Sequence, residues 1–173
     1  MSTIINGSSP SITFSDSTTQ TTAFTGSASQ ITSGTLPSAQ LPTGSVLQVV
    51  QGTYSTSTTI STGTITSTGL TATITPKFAT SKILVLVTDQ IRTSGGYGQF
   101  YFYRNSTNIY TIWASFNYSS NSGAYSGTLA TNYLDSPATT SATSYTLYFS
   151  NVSGITAQID GTVATITLLE IAG

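Results

Sequence analysis

Only nine of the 173 side chains carry a formal charge, five acidic and four basic, and no other feature restricts the chain so much. Charged residues make up 5%, against about 25% in an ordinary soluble domain. Their place is taken by 28 Ser and 36 Thr. Thr joins Val, Ile, Tyr and Phe in favouring a pleated, half-buried backbone, because Cβ branching and flat rings pack well there. The strong helix formers Glu, Lys, Arg and Met are nearly missing. A hydrophobic share of 38% with 10% aromatics is enough for a core, and a net charge of −1 is unlike the charge excess of a disordered chain. The expectation is an all-β protein. Sheet edges without Lys or Glu gatekeepers invite pairing with other chains. Closed symmetric assembly covers such edges, so the composition predicts an oligomer.

The same inventory removes several functions. Without Cys there is no disulfide framework, thiol nucleophile or thiolate metal site, and without His there is no imidazole base or usual zinc site. No metal or other cofactor is expected. Four basic residues cannot neutralise a phosphate backbone, which argues against nucleic acid as a partner. No run of about 18 apolar residues exists to cross a membrane. Met1 to Pro10 lacks the basic start and apolar stretch of a secretory signal, which predicts a protein made in a host cytoplasm and used in an assembly.

Two regions differ along the chain. Residues 1–44 are rich in Ser, Thr and Gly, carry one charge at Asp16, and hold few large apolar side chains. They read as an extended N-terminal attachment arm that orders against a partner, with Ile12, Phe14 and Phe24 as docking anchors for strand addition. Pro37 and Pro42 should keep Leu36 to Pro42 extended and stiff.

Residues 45–173 carry regular strand signals. Val46 to Val50 is a short apolar strand, and Thr58 to Thr75 alternates Ile and Leu with Thr. Lys82 to Ile91, KILVLVTDQI, is the most apolar run and reads as a central strand buried on both faces. Gln99 to Arg104 places Phe100 and Phe102 opposite Tyr101 and Tyr103, then turns at Asn105 to Asn108 and returns through Ile109 to Ala114. Ala124 to Leu134 and Thr143 to Ser150 are further strands, the second with Tyr145, Leu147 and Phe149 on one face. Ile155 to Asp160 and Thr162 to Ile171 read as a last pair around Gly161. Eight to ten short strands without a helix describe a sandwich or barrel, and a domain of this size suits a jelly-roll-like β-sandwich.

Several phrases resemble the virion fibre proteins of phages and cyanophages. TLPSAQLPTGSVLQVV (35–50) looks like the junction before their C-terminal domains, and GLTATITPKFATSKILVLV (69–87) resembles the first half of those domains. LDSPATTSATSYTLYF (134–149) and ITLLEIAG (166–173) are similar to later parts, and ITFSDSTTQTTAFTG (12–26) is similar to shaft segments. The resemblance implies a trimeric head domain of the jelly-roll or TNF-like kind, carried on a virion. Since only residues 1–44 precede that domain, a capsid decoration or cement protein, or a short head fibre, fits the length better than a tail fibre with a long shaft. The arm would then bind other virion proteins, of capsid or tail. The alternative is a receptor-binding tail-fibre tip that recognises host surface glycan.

Fourteen of the eighteen aromatic residues lie between Tyr97 and Phe149. Tyr101, Tyr103, Tyr110, Trp113 and Tyr118 are candidates for a trimer contact or a glycan surface, because Tyr and Trp join apolar area to a polar tip. The same rings can instead fill the sandwich. No catalytic residue is assigned. Ser has no base to activate it beyond Lys77 or Lys82, which flank a strand without a nucleophile motif. Asp135 and Asp160 sit beside turn signals, where Asp is commonly structural. Gly95 to Gly98 lacks the Lys-Ser/Thr ending of a phosphate loop. Asp89 is placed to pair with Arg92, and Glu170 either faces solvent or pairs with Lys77, Lys82 or Arg104.

Overall fold

A computed structural model describes residues 4–6, 11–13, 15, 17, 19–20, 37–93, 98–114, 125–150, 155–157 and 161–173. The chain divides into two compact units, Met1–Pro37 and Ser38–Gly173. In the first, three short strands, β1 (Ile4–Asn6), β2 (Ser11–Thr13) and β3 (Thr19–Gln20), pair antiparallel in that order. Ile12 lies in β2 opposite Ile5 and Gln20. Phe14 and Phe24 lie outside the described residues.

The second unit starts before residue 45. A 3-10 turn at Ser38–Gln40 bends the segment expected to be extended. The Gly44 N–H then donates to the Ala172 carbonyl (2.9 Å), and the Ala172 N–H donates to Ser45 (2.8 Å). Ten strands follow: β4 (Val46–Tyr54), β5 (Thr58–Ile60), β6 (Thr66–Ile74), β7 (Lys82–Thr93), β8 (Gly98–Arg104), β9 (Thr107–Ala114), β10 (Tyr125–Asp135), β11 (Thr143–Ser150), β12 (Ile155–Ala157) and β13 (Ala164–Ile171).

Their pairing is nested. β8 pairs with β9, β7 with β10, β6 with β11 and β4 with β13, all antiparallel. This unit is thus a long hairpin folded over on itself, giving one sheet in the order β4-β13-β7-β10 and a second in the order β6-β11-β8-β9. This is the jelly roll. β12 and β5 extend the first sheet. β12 does not pair with β13, as the sequence suggested; β13 lies along Lys82–Thr88 of β7 and β12 along Ile91–Thr93. Long-range register of this kind has no local sequence signal.

Alternation decides the core. Ile83, Val85, Val87 and Ile91 of β7 point inward with Ile166 and Leu168 of β13. They meet Phe100 and Phe102 of β8, Leu147 and Phe149 of β11, and Leu70 and Ile74 of β6. Each such fully buried side chain contributes roughly 1.5–3 kcal/mol. Asn105, at φ 53°, turns the β8–β9 hairpin, and its side-chain oxygen accepts from the Ser144 N–H. On the opposite side of the sandwich β4 runs close to β6. A Cβ on Gly52 would collide with the Thr71 carbonyl, and Gly69, at φ +89°, lies against the Tyr54 ring. Gly52→Ala forces backbone against backbone and is expected to destabilise this unit by about 1–3 kcal/mol in urea unfolding.

One expectation is overturned. β7 is central, with β13 and β12 on one edge and β10 on the other, but it is not buried on both faces. Ile83, Val85 and Val87 are enclosed while Leu86 remains 39% exposed. Among the described residues of this unit, the second sheet covers only the inner face.

Candidate functional site

The outward residues of the first sheet follow from register. Val49 of β4 stands opposite Leu169 of β13, Leu169 opposite Leu84 of β7, and Leu84 opposite Leu134 of β10. Four aliphatic side chains therefore form a row across the whole sheet, with Val49 58% and Leu134 49% exposed. The adjacent row is Gln51, Thr167, Leu86 and Asn132, and the next is Thr53, Thr165, Thr88 and Ala130. Gln51 donates to Thr167 (3.0 Å) and Gln90 to Thr128 (2.7 Å), so the amides are held flat along the sheet. The charged residues that alternation places on this face are Lys82 and Arg92, at opposite ends of β7. Arg92 Nε donates to Ser126. Asp89 is buried on the inner side, so the three-residue spacing puts it on the opposite face from Arg92.

The outer face of the second sheet differs in kind. Thr73 bonds Ser144 across the strands (2.7 Å) and Thr71 bonds Thr146 (2.8 Å). Tyr103 packs on Tyr148 with ring centroids 4.2 Å apart. Trp113, on edge strand β9, lies opposite Gln99 and is 68% exposed. Of the five aromatic candidates, Tyr103 and Trp113 are therefore accessible on this face. Tyr101 shares the face but is only 7% exposed, its hydroxyl bonded to Gln99 (2.7 Å) and Ser150 (2.9 Å). Tyr110 belongs to the inner side: it opposes Phe102 and stacks on Tyr133 of β10 at 4.7 Å, closing the gap between edge strands β9 and β10. Tyr118 lies outside the described residues.

The acids with described partners bind within the fold. One Arg104 Nη1 reaches both Asp135 oxygens at 3.0 Å, and the Tyr145 hydroxyl donates to the same carboxylate at 2.7 Å. Burial first, and then the neighbouring carboxylate, push the Tyr145 pKa up, so the phenol stays a donor. Asp160 lies outside the described residues. Glu170 is fully buried and neither faces solvent nor takes a Lys or Arg partner as expected. It accepts from Gln48 Nε2 and from the backbone N–H groups of Lys77 (2.7 Å) and Phe78 (3.4 Å). The Lys77 ammonium goes instead to the Leu47 carbonyl. Alternation carried the signal, since Glu170 continues the inward series Ala164, Ile166, Leu168. Among the described residues no three His, Cys, Asp or Glu side chains stand together to hold a metal.

Burial alone would raise the Glu170 carboxyl, but its donors outweigh burial and hold it below its ordinary value of 4.5. We assign this to Gln48 and the two backbone groups, because Ser81, though close enough to act electrostatically, makes no well-formed hydrogen bond. The folded state thus binds this proton less tightly than the unfolded one. Its contribution is fully present above the ordinary value and is lost as pH falls through the lower, folded one. As pH falls below the ordinary value of 4.5, the melting temperature should drop more steeply for the natural chain than for Glu170→Gln.

Comparison with known protein families and with curated proteins finds no match for the chain. The aliphatic row has no local signature because its members come from four distant strands; Leu84, alternating with the core residues of β7, was its one trace there.

Proposed function

We propose that this chain is a non-enzymatic structural protein of a virion, a homotrimeric capsid decoration or cement protein or a short head fibre. Residues 1–44 attach it, and the jelly roll projects. The observation that carries this reading is the uncovered row Val49, Leu169, Leu84 and Leu134. A contiguous apolar patch rimmed by Thr, Gln and Asn is the usual mark of a protein contact. Four strands span roughly 20 Å, the scale of a standard interface on one partner. A second copy suits the face because its aliphatic row and its uncharged amide and hydroxyl rows need an uncharged cover, with Lys82 and Arg92 at the margins; around a threefold axis this face supplies one half of each contact and a different patch of the neighbouring copy the other.

Labelled microscopy of intact particles tests the location. Label spread over the head supports the reading; label confined to the tail tip favours the receptor-binding alternative and rejects a decoration protein. Residues 10–30 should also resist protease on the particle and be cut in the purified chain.

A further inference from the structure

We propose that Tyr110 and Tyr133 are an oxidative coupling site, joined within one chain into a dityrosine by hydrogen peroxide and a haem peroxidase, and that the new bond stitches the two sheets together. Three observations converge. First, the pair bridges a seam. Among the described residues β9 pairs with β8 and β10 with β7, so these two edge strands share no ladder, and Tyr110 and Tyr133 meet across the gap between them. Second, the rings are held in contact. Their centroids lie 4.7 Å apart with planes 15° from parallel, and Phe102 backs Tyr110 at 6.2 Å. Such placement replaces an encounter between molecules by a step within one. Tyr110 is 40% exposed and Tyr133 is half-buried, which leaves a ring room to turn its edge to its neighbour about the soft terminal torsion of tyrosine. Third, competing sinks for oxidising equivalents are few: the chain has no Cys, no His, one Met and one Trp. Tyr145 is poorly placed to compete, because its hydroxyl is buried and its proton is held on the Asp135 carboxylate.

The step balances. Each tyrosine gives up one electron and its phenolic proton. The two phenoxyl radicals join through ring carbons ortho to the hydroxyls, and the hydrogens on those carbons move to the oxygens and restore two phenols. One C–C bond replaces two C–H bonds. The two electrons and two protons released reduce one hydrogen peroxide to two waters. The chain's other close pair, Tyr103 and Tyr148 at 4.2 Å, joins β8 to β11, which already share a ladder, so coupling there adds no new connection between strands. The inference concerns the seam between β9 and β10 and requires neither a virion nor a trimer.

The full chain is treated with hydrogen peroxide and a haem peroxidase, and the products are separated under denaturing conditions. The main coupled product should have the mass of one chain less two hydrogen atoms, show the blue emission of a biphenol, and yield on digestion a peptide pair linked at Tyr110 and Tyr133. At micromolar concentration it should exceed linked pairs of chains by about tenfold or more. Compared at equal concentration, the linked chain should melt about 5–10 °C higher than the untreated one, because the bond closes a loop of the unfolded chain. Tyr110→Phe and Tyr133→Phe keep the ring contact, and each should abolish this product; either decides the matter if the other does not fold. A Tyr110–Tyr133 link, with or without a second at Tyr103 and Tyr148, supports the proposal. No link within the chain, links only among other tyrosines, a Tyr110–Tyr133 link found only between chains, or a linked chain that melts with the untreated one overturns it.

Discussion

Val49→Glu combined with Leu134→Glu is expected to convert the assembled protein into monomers without unfolding it. Both side chains lie on the solvent side of the first sheet and are about half exposed, so a carboxylate at either is tolerated by the isolated unit. Surface changes of this kind usually alter stability by no more than about 0.5 kcal/mol. The assembled state is different. Each copy would bring two carboxylates into a contact whose charged margins are basic and distant, at Lys82 and Arg92. Burying an unpaired carboxylate costs several kcal/mol, so the dissociation constant should rise by roughly three orders of magnitude or more. Light scattering across a dilution series reads the change. Circular dichroism should keep its strand signature. An unchanged mass in the double variant would remove this face from the interface.

The second large effect is in folding. Glu170→Ala should destabilise the jelly roll by about 3 kcal/mol or more. The carboxylate joins three elements at one end of the sandwich: Gln48 of β4, β13 itself, and the turn from β6 to β7 through the N–H groups of Lys77 and Phe78. Gln48 also donates to the Thr75 carbonyl, so the same network fixes the end of β6. Alanine leaves these partly buried donors without their acceptor and opens a cavity at a fully buried position. Glu170→Gln preserves the volume but turns an amide N–H₂ toward a cluster of donors, and should cost about 1.5–3 kcal/mol. Urea unfolding at fixed protein concentration ranks the variants, since assembly shifts apparent stability by mass action. Equal stability of all three would mean the network contributes nothing.

The sequence revealed most where a property is local. Alternation in Gln99–Arg104 and Thr143–Ser150 put Phe100 with Phe102, and Tyr145 with Leu147 and Phe149, on single faces of their strands, and those are the faces that line the core. The β8–β9 hairpin followed from the turn residues at Asn105. Two errors had a common cause. KILVLVTDQI reads as buried on both faces because periodicity records which side chains need cover and says nothing of who provides it. Its inner face is covered by the second sheet; for the outer face, a second copy is our proposal. Pairing β12 with β13 assumed that sequence neighbours are sheet neighbours, whereas the nested fold seats both on β7. The faces of Phe100 and Phe102 against Tyr101 and Tyr103 were legible from alternation, but the exposure of each ring in the aromatic cluster was not. Its members divide between the outer face (Tyr101, buried there, with Tyr103 and Trp113) and the inner side (Tyr110, still 40% exposed at the sheet edge) according to register with distant strands. Glu170 was misread although its inward parity was available, because a lone acid in an apolar strand suggested solvent or an ion pair rather than backbone donors.

Sedimentation equilibrium of the purified chain at micromolar concentration bears most directly on the account. A mass of three times the 18.0 kDa chain is predicted. A single species at 18.0 kDa, with the aliphatic row left in water, would contradict it.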